Sequence, residues 1–152
     1  MSTSYAWLLS LGAGLYAATG ERELRYLLAD KPRLFTIPQT VTYCNQIFIW
    51  QGTIVPVMDM GQRVLGHQIT RNASEELIVL ANFKSNTSAN LQYGALLLDA
   101  IPIKIEVSDS QACSLPEPQS LWQYLAISCV QHEQYGVVPI LNLAQVFTNG
   151  AV

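Results

Sequence analysis

Charge is what this chain has least of. Of its 152 residues only 12% are Asp, Glu, Lys or Arg, against 50% apolar, and the formal net charge is −3. The 8 basic residues are scattered singly, which argues against a binder of phosphate backbones and leaves no polybasic patch for a membrane surface. So few solvating charges predict that part of the surface is covered by partners. Cysteine is scarce as well. Cys44, Cys113 and Cys129 form no C-x-x-C pair and no metal-ligand spacing, so they read as reduced thiols of a cytoplasmic protein. The two histidines, His67 and His132, fall in polar stretches with no Cys or carboxylate pattern beside them, and read as surface residues. No G-x-S-x-G, phosphate-binding Gly loop or H-E-x-x-H occurs. Asp59 and Asp99 could be drawn as an acid–base pair, but Asp59 suits a helix cap and Asp99 follows the strand-like Leu96-Leu97-Leu98. The expectation is no catalytic site, no cofactor and no metal. Tyr43, Phe48 and Trp50 stand among neutral residues rather than beside Lys and Arg, which argues against nucleic acid.

Long hydrophobic runs are missing too. The apolar stretch Tyr5 to Ala18 is too short to span a bilayer as a helix and has no Lys or Arg before it, so it is neither an anchor nor a signal peptide. Gly12-Ala13-Gly14 in its middle predicts a hairpin turn between two buried strands, Trp7 to Leu11 and Leu15 to Thr19. Without secretion, the glycosylation patterns at Asn72 and Asn86 carry no meaning.

What the chain does have is an echo. Ile54-Val55-Pro56-Val57-Met58-Asp59-Met60 returns 83 positions later as Val137-Val138-Pro139-Ile140-Leu141-Asn142-Leu143. The hairpin around Tyr93 sits 77 positions after Tyr16. Two modules of one design are the natural reading. Strands are expected at Tyr43 to Trp50, turning at Gln51-Gly52 into Thr53 to Met60. A short helix follows, capped by Asp59 and closed by Gly66. Glu21 to Leu28 is open between helix and strand, and Lys31 to Pro38 reads as a loop. After the polar stretch Gly66 to Glu76, strands are expected at Leu77 to Asn82, Tyr93 to Ile101 and Ile103 to Val107. Leu121 to Val130 and Gly136 to Leu143 close the second unit before a short helix at Ala144 to Phe147. Short strands with frequent turns indicate barrels or a sandwich, with Pro56 and Pro139 at an edge, bulge or corner.

These residues resemble the CheW-like family, the coupling proteins of bacterial chemosensory arrays, over about Tyr5 to Phe147. Pro38, Tyr43, Gly52, Pro56-Val57, Asp59-Met60 and Leu65-Gly66 stand at the family's spacings. Gly94 to Asp99, Pro116-Glu117-Pro118, Tyr124 and Val138-Pro139 follow in its order. The resemblance implies an all-β fold of two small five-stranded β-barrel subdomains, roughly residues 15–76 and 77–147, with the N-terminal strand exchanged between them. In this framework Pro38, Gly52, Pro56, Asp59, Gly94, Asp99 and Pro139 are structural. It implies a non-catalytic cytoplasmic adaptor whose partners are the regulatory domain of a CheA-type histidine kinase and the helical-hairpin tip of a chemoreceptor. Self-association is a further expectation, and direct membrane insertion is not.

The departures from the family pattern locate the candidate partner-binding residues. Gln46, Ile49 and Gln51 stand where Gly, Asn and Arg are usual, Val41 replaces a proline, and Tyr26 stands where an acid is common. With Ile47, these make the candidate set Tyr26, Gln46, Ile47, Ile49 and Gln51. Losing the guanidinium and the carboxylate removes charge-assisted bonds worth roughly 1.5 to 3 kcal/mol each. That suggests a divergent coupler, in a type IV pilus (twitching) system or another alternative pathway. The bland alternative for Ile47 and Ile49 is barrel filling, since alternation puts them on one face with Gln51. The rival function is a small-molecule sensor with a pocket between the subdomains.

Overall fold

The computed structural model describes residues 3–148 apart from 29, 73 and 86–89. Eleven strands run in chain order: β1 (Thr3–Gly12), β2 (Leu15–Gly20), β3 (Leu24–Leu27), β4 (Phe35–Thr36), β5 (Gln46–Trp50), β6 (Thr53–Met58), β7 (Leu77–Lys84), β8 (Leu91–Leu98), β9 (Ile103–Ser108), β10 (Ala126–His132) and β11 (Gly136–Leu141). Three short helices join them: α1 (Met60–Leu65), α2 (Gln119–Leu125) and α3 (Leu143–Val146). The strands form two sheets, ordered β10-β11-β2-β1-β9 and β3-β7-β8-β6-β5-β4.

The repeat governs both sheets. Each copy of the Val-Pro phrase is a strand, β6 or β11, that runs parallel to the second strand of a hairpin. Val57 pairs with Ala95 in one sheet and Ile140 with Ala18 in the other. Each copy ends in the same cap. Asp59 (φ −94°, ψ 89°) accepts from the Gln62 N–H, and Asn142 (φ −98°, ψ 95°) accepts from the Gln145 N–H. These caps start α1 and α3, because a short side-chain oxygen satisfies a first-turn N–H that has no helical partner. In each copy the parallel ladder begins at the residue after the proline, so the missing N–H falls where that ladder has not started.

Laid on each other, β3-β7-β8-β6-β5 matches β9-β1-β2-β11-β10. The hairpins are therefore exchanged between the halves of the sequence. The hairpin β1–β2 completes the sheet of β9, β10 and β11, while β7–β8 completes that of β3, β5 and β6. This corrects the expected division into 15–76 and 77–147: residues 24–98 build one sheet, and residues 3–20 with 103–141 build the other. The exchange involves a whole hairpin on each side rather than one strand.

Both hairpins bury two faces. Within one barrel lie Ile78 and Leu80 with Phe48, Val55, Val57 and Ala95. Within the other lie Ala6 and Leu8 with Ala18, Ile105, Val130 and Val138. The opposite faces, Val79, Ala81 and Phe83 on β7 and Leu9 and Leu11 on β1, meet in a central layer with Trp122, Leu125, Leu141 and Leu143. A strand buried on both faces shows no polar alternation, which is why Tyr5–Ala18 looked continuously apolar. Gly94 on β8 leaves room for the Phe147 ring, which stacks on Phe83 at 5.4 Å.

Several local expectations change. Within Glu21 to Leu28 a turn leads into the strand β3, and the loop before Pro38 contains the two-residue strand β4, so the first barrel has six strands among the described residues. Thr42–Cys44 is a 3-10 turn rather than strand. Leu121 to Leu125 belongs to α2, where Trp122 and Leu125 point into the central layer, so β10 starts only at Ala126. The Asn86 glycosylation pattern lies outside the described residues.

Candidate functional site

Gln51-Gly52 is a two-residue turn with positive φ at both positions (49° and 78°), closing the β5–β6 hairpin at Trp50↔Thr53. That turn fixes the register: Ile49 stands opposite Ile54, Phe48 opposite Val55 and Ile47 opposite Pro56. Alternation then separates the strand's faces. Phe48, 1% exposed, fills the barrel, with Trp50 packed against the same cluster. Ile47 and Ile49 face outward. Ile49 is 55% exposed and Ile54 62%, so neither is barrel filling.

The outer face extends across three strands. Phe35 of β4 pairs with Ile47, and Ile47 pairs with Pro56, so Phe35, Ile47 and Pro56 form one apolar row beside the Ile49–Ile54 pair. The row runs on into an open groove of about 560 Å³ between β4–β6 and α3, whose lining includes Ile37, Tyr43, Ile47, Pro56, Val146 and Phe147. One charged side chain lines it, Arg63. Its guanidinium donates to the Val146 carbonyl (2.9 Å) and lies over the Tyr43 ring at 5.0 Å, so it ties α1 to the end of α3.

The five candidate residues do not form one surface. Ile47 and Ile49 lie in the apolar row, and Gln51 stands exposed at the hairpin tip. Gln46 alternates to the other face and lines a separate shallow depression with Asp59, Gln62 and Arg71. Tyr26, 51% exposed on β3, packs tilted against Trp50 at 5.8 Å, and Trp50 packs tilted against Tyr93 at 5.3 Å. That chain of rings closes the barrel between its first and fifth strands. Ile54, Phe35 and Ile37 were missed as candidates. Counting outward from the two-residue turn would have found Ile54, whereas β4 is too short to show any period.

The framework residues act as tethers. Asp59, besides capping α1, takes a two-pronged contact from Arg71 (2.8 and 3.0 Å), whose Nη2 also donates to the Leu11 carbonyl. A Cβ at Gly12 would press on that guanidinium. Asp99 accepts from the Ser10 hydroxyl and its N–H donates to the Ser10 carbonyl, linking β8 to β1 across the sheets. The two aspartates thus serve different tethers. His132 accepts from the Gln134 and Tyr135 N–H groups and packs tilted against the Tyr135 ring, while His67 is exposed. Among the described residues no group of three or more His, Cys, Asp or Glu could hold a metal ion, and no helix is long and apolar enough to cross a membrane.

No family model matches the sequence, and no curated protein does. Solved structures do. The crystal structure of the scaffolding protein TtCheW from Thermoanaerobacter tengcongensis superposes with a TM-score of 0.75 at 16% identity, covering 98% of this chain and 96% of that one. The chain has the CheW fold, an all-β pair of small barrels, with one copy of the Val-Pro repeat and its cap in each.

Proposed function

We propose that this chain is a non-catalytic adaptor of a cytoplasmic chemosensory complex, joining the helical tip of a chemoreceptor to the regulatory domain of a CheA-type histidine kinase. The observation that carries the reading is the apolar outer row of Phe35, Ile47, Ile49, Ile54 and Pro56, with Phe35, Ile49 and Ile54 exposed and the Arg33 guanidinium over the Phe35 ring at 5.2 Å, continuous with the groove beside α3 on a fold shared with a scaffolding protein. Apolar strips of this kind mark partner surfaces, and a helix laying an apolar face in a groove is a standard mode of recognition. Covering each exposed isoleucine contributes about 1.5 to 3 kcal/mol before ordering costs. Gln51 and Tyr26, standing where charged residues are usual, support a contact that is more apolar than ionic. That divergence is also the ground for placing the protein in a type IV pilus (twitching) pathway.

The test is titration of the full chain with receptor-tip hairpins and kinase regulatory domains from the same genome, at concentrations on the order of tens of micromolar. Ile49→Asp and Ile54→Asp are expected to weaken one partner at least tenfold while leaving the thermal midpoint unchanged, because both side chains already face water. Gln51→Arg is expected to strengthen receptor binding. No binding to either partner by the unaltered chain sinks the proposal. A tight small-molecule ligand displaced by changes at Tyr43 or Phe147, with no protein partner, would favour the sensor reading, since the groove does lie between the two barrels.

A further inference from the structure

We propose that Cys113 and Cys129 are a modification site: a thiol pair built to close reversibly into a disulfide by exchange with a low-molecular-weight disulfide such as oxidised glutathione, locking the seam of the second barrel. The second barrel's edge strands, β9 and β10, share no ladder. What joins them is the segment after β9, where Ala112 forms a bridge with Val130 and the Cys113 N–H donates to the Cys129 carbonyl at 3.0 Å. In an antiparallel bridge this register sets Cys113 directly opposite Cys129, and their Sγ atoms stand 3.4 Å apart. Residues directly opposite in antiparallel pairs have Cα separations of about 4.5 to 5.5 Å. That falls inside the range of about 4.4 to 6.8 Å that a disulfide accepts. Closing the bond therefore needs side-chain rotation and no rearrangement of the backbone.

The two thiols differ in access, which orders the chemistry. Cys113 is half-buried, while Cys129 is 3% exposed. Burial and the neighbouring thiol push the Cys129 thiol up to about 12, so it is protonated at neutral pH. Cys113, as thiolate, attacks one sulfur of the external disulfide; one small thiolate leaves and Cys113 carries a mixed disulfide. Cys129 then loses its proton to solvent and displaces the second small thiolate. Two protein S–H groups have become one S–S bond, and the external disulfide has been reduced to two thiols. The reverse reaction through Cys113 must expel Cys129, a poor leaving group, so the lock opens slowly. Cys44, on the 3-10 turn before β5, is a separate thiol and serves as an internal control.

The experiment treats the full chain with oxidised glutathione, quenches with an alkylating reagent, and maps the peptides by mass. The expected product has one Cys113–Cys129 link, a single alkylated thiol at Cys44, and slower amide exchange at residues 112–113 and along β10. The closing step should accelerate as pH rises above neutrality, following the thiolate fraction of Cys129. Cys129→Ser should stop at glutathione on Cys113, and Cys113→Ser should leave Cys129 unmodified. Three alkylated thiols in the unaltered chain, or a mixed disulfide at Cys113 that never resolves, would overturn the proposal.

Discussion

In the first barrel β5 turns Ile47 and Ile49 outward and is flanked by the extra strand β4, whereas in the second the matching strand β10 carries Cys129 and Gln131 at those positions and is met by Ala112. The inward positions agree: Phe48 opposite Val55 in one barrel, Val130 opposite Val138 in the other. One framework is thus used twice with different edges. The first, flanked by β4, keeps an apolar outer face open to solvent, and the second is covered by the chain's own segment after β9. A duplicated fold needs the same filling and caps in both copies, but only one copy needs an open apolar face. Partner binding is accordingly sought on the first barrel.

The comparison breaks most readily at the paired caps. Asp59 and Asn142 cap equivalent helices, but only Asp59 also holds Arg71, whose side chain is 6% exposed. Asp59→Ala leaves that guanidinium buried without its counter-charge and is expected to cost on the order of 3 to 5 kcal/mol. Asn142→Ala removes a cap alone, about 1 kcal/mol. Urea unfolding of the two variants measures both, and equal losses would mean that the ion pair contributes nothing beyond capping.

Next comes the pair Gly94 and Ala17, one residue before the parallel contacts of Ala95 and Ala18. Ala17 carries its methyl in the central layer, whereas a methyl at Gly94 would collide with the Phe147 ring. Gly94→Ala is expected to cost about 1 to 3 kcal/mol. In a Phe147→Leu background the same change should cost much less, and a double-mutant cycle with no coupling would refute the contact.

The smallest effect concerns the two-residue turns. Gln51 (φ 49°) and Ala13 (φ 55°) are each the first residue of a two-residue turn whose second residue is a positive-φ glycine, a position where Asn is favoured and other side chains are strained. Gln51→Asn and Ala13→Asn should each stabilise by about 0.5 to 1 kcal/mol. A gain at one turn only, read from denaturation midpoints, would show that the two hairpins are not held alike.

The readable parts of this sequence were those set by local chemistry. The Asp59 and Gly66 caps of α1, the Gly12-Ala13-Gly14 hairpin and the Gln51-Gly52 turn follow from residues within one turn of each other. The repeat foretold two modules. It could not tell which hairpin joins which barrel, because β1 and β7 are apolar on both faces and would fit either sheet. Leu121 to Leu125 was expected to run on into the strand to Val130, yet Trp122 and Leu125 are buried three apart, the spacing of one face of a short helix. At the candidate site, alternation put Ile47 and Ile49 on one face but left open whether that face was filling or surface. Phe48 and the pairing across Gln51-Gly52 settle it. Arg71 acquires its role only through Asp59 and Leu11, 12 and 60 positions away, and no spacing rule reaches that far.

The hairpin exchange has a consequence during synthesis. Residues up to Gly20 leave the ribosome long before β11, which their sheet requires and which ends at Leu141. At roughly 5 to 20 residues per second the delay is on the order of ten seconds. Through that interval Leu8, Leu9 and Leu11 have no barrel to enter, while β3 to β8 can already assemble the other one. The newborn chain therefore carries this sticky hairpin past a finished neighbour, and a chaperone that holds residues 3–20 would be guarding the last piece to be used.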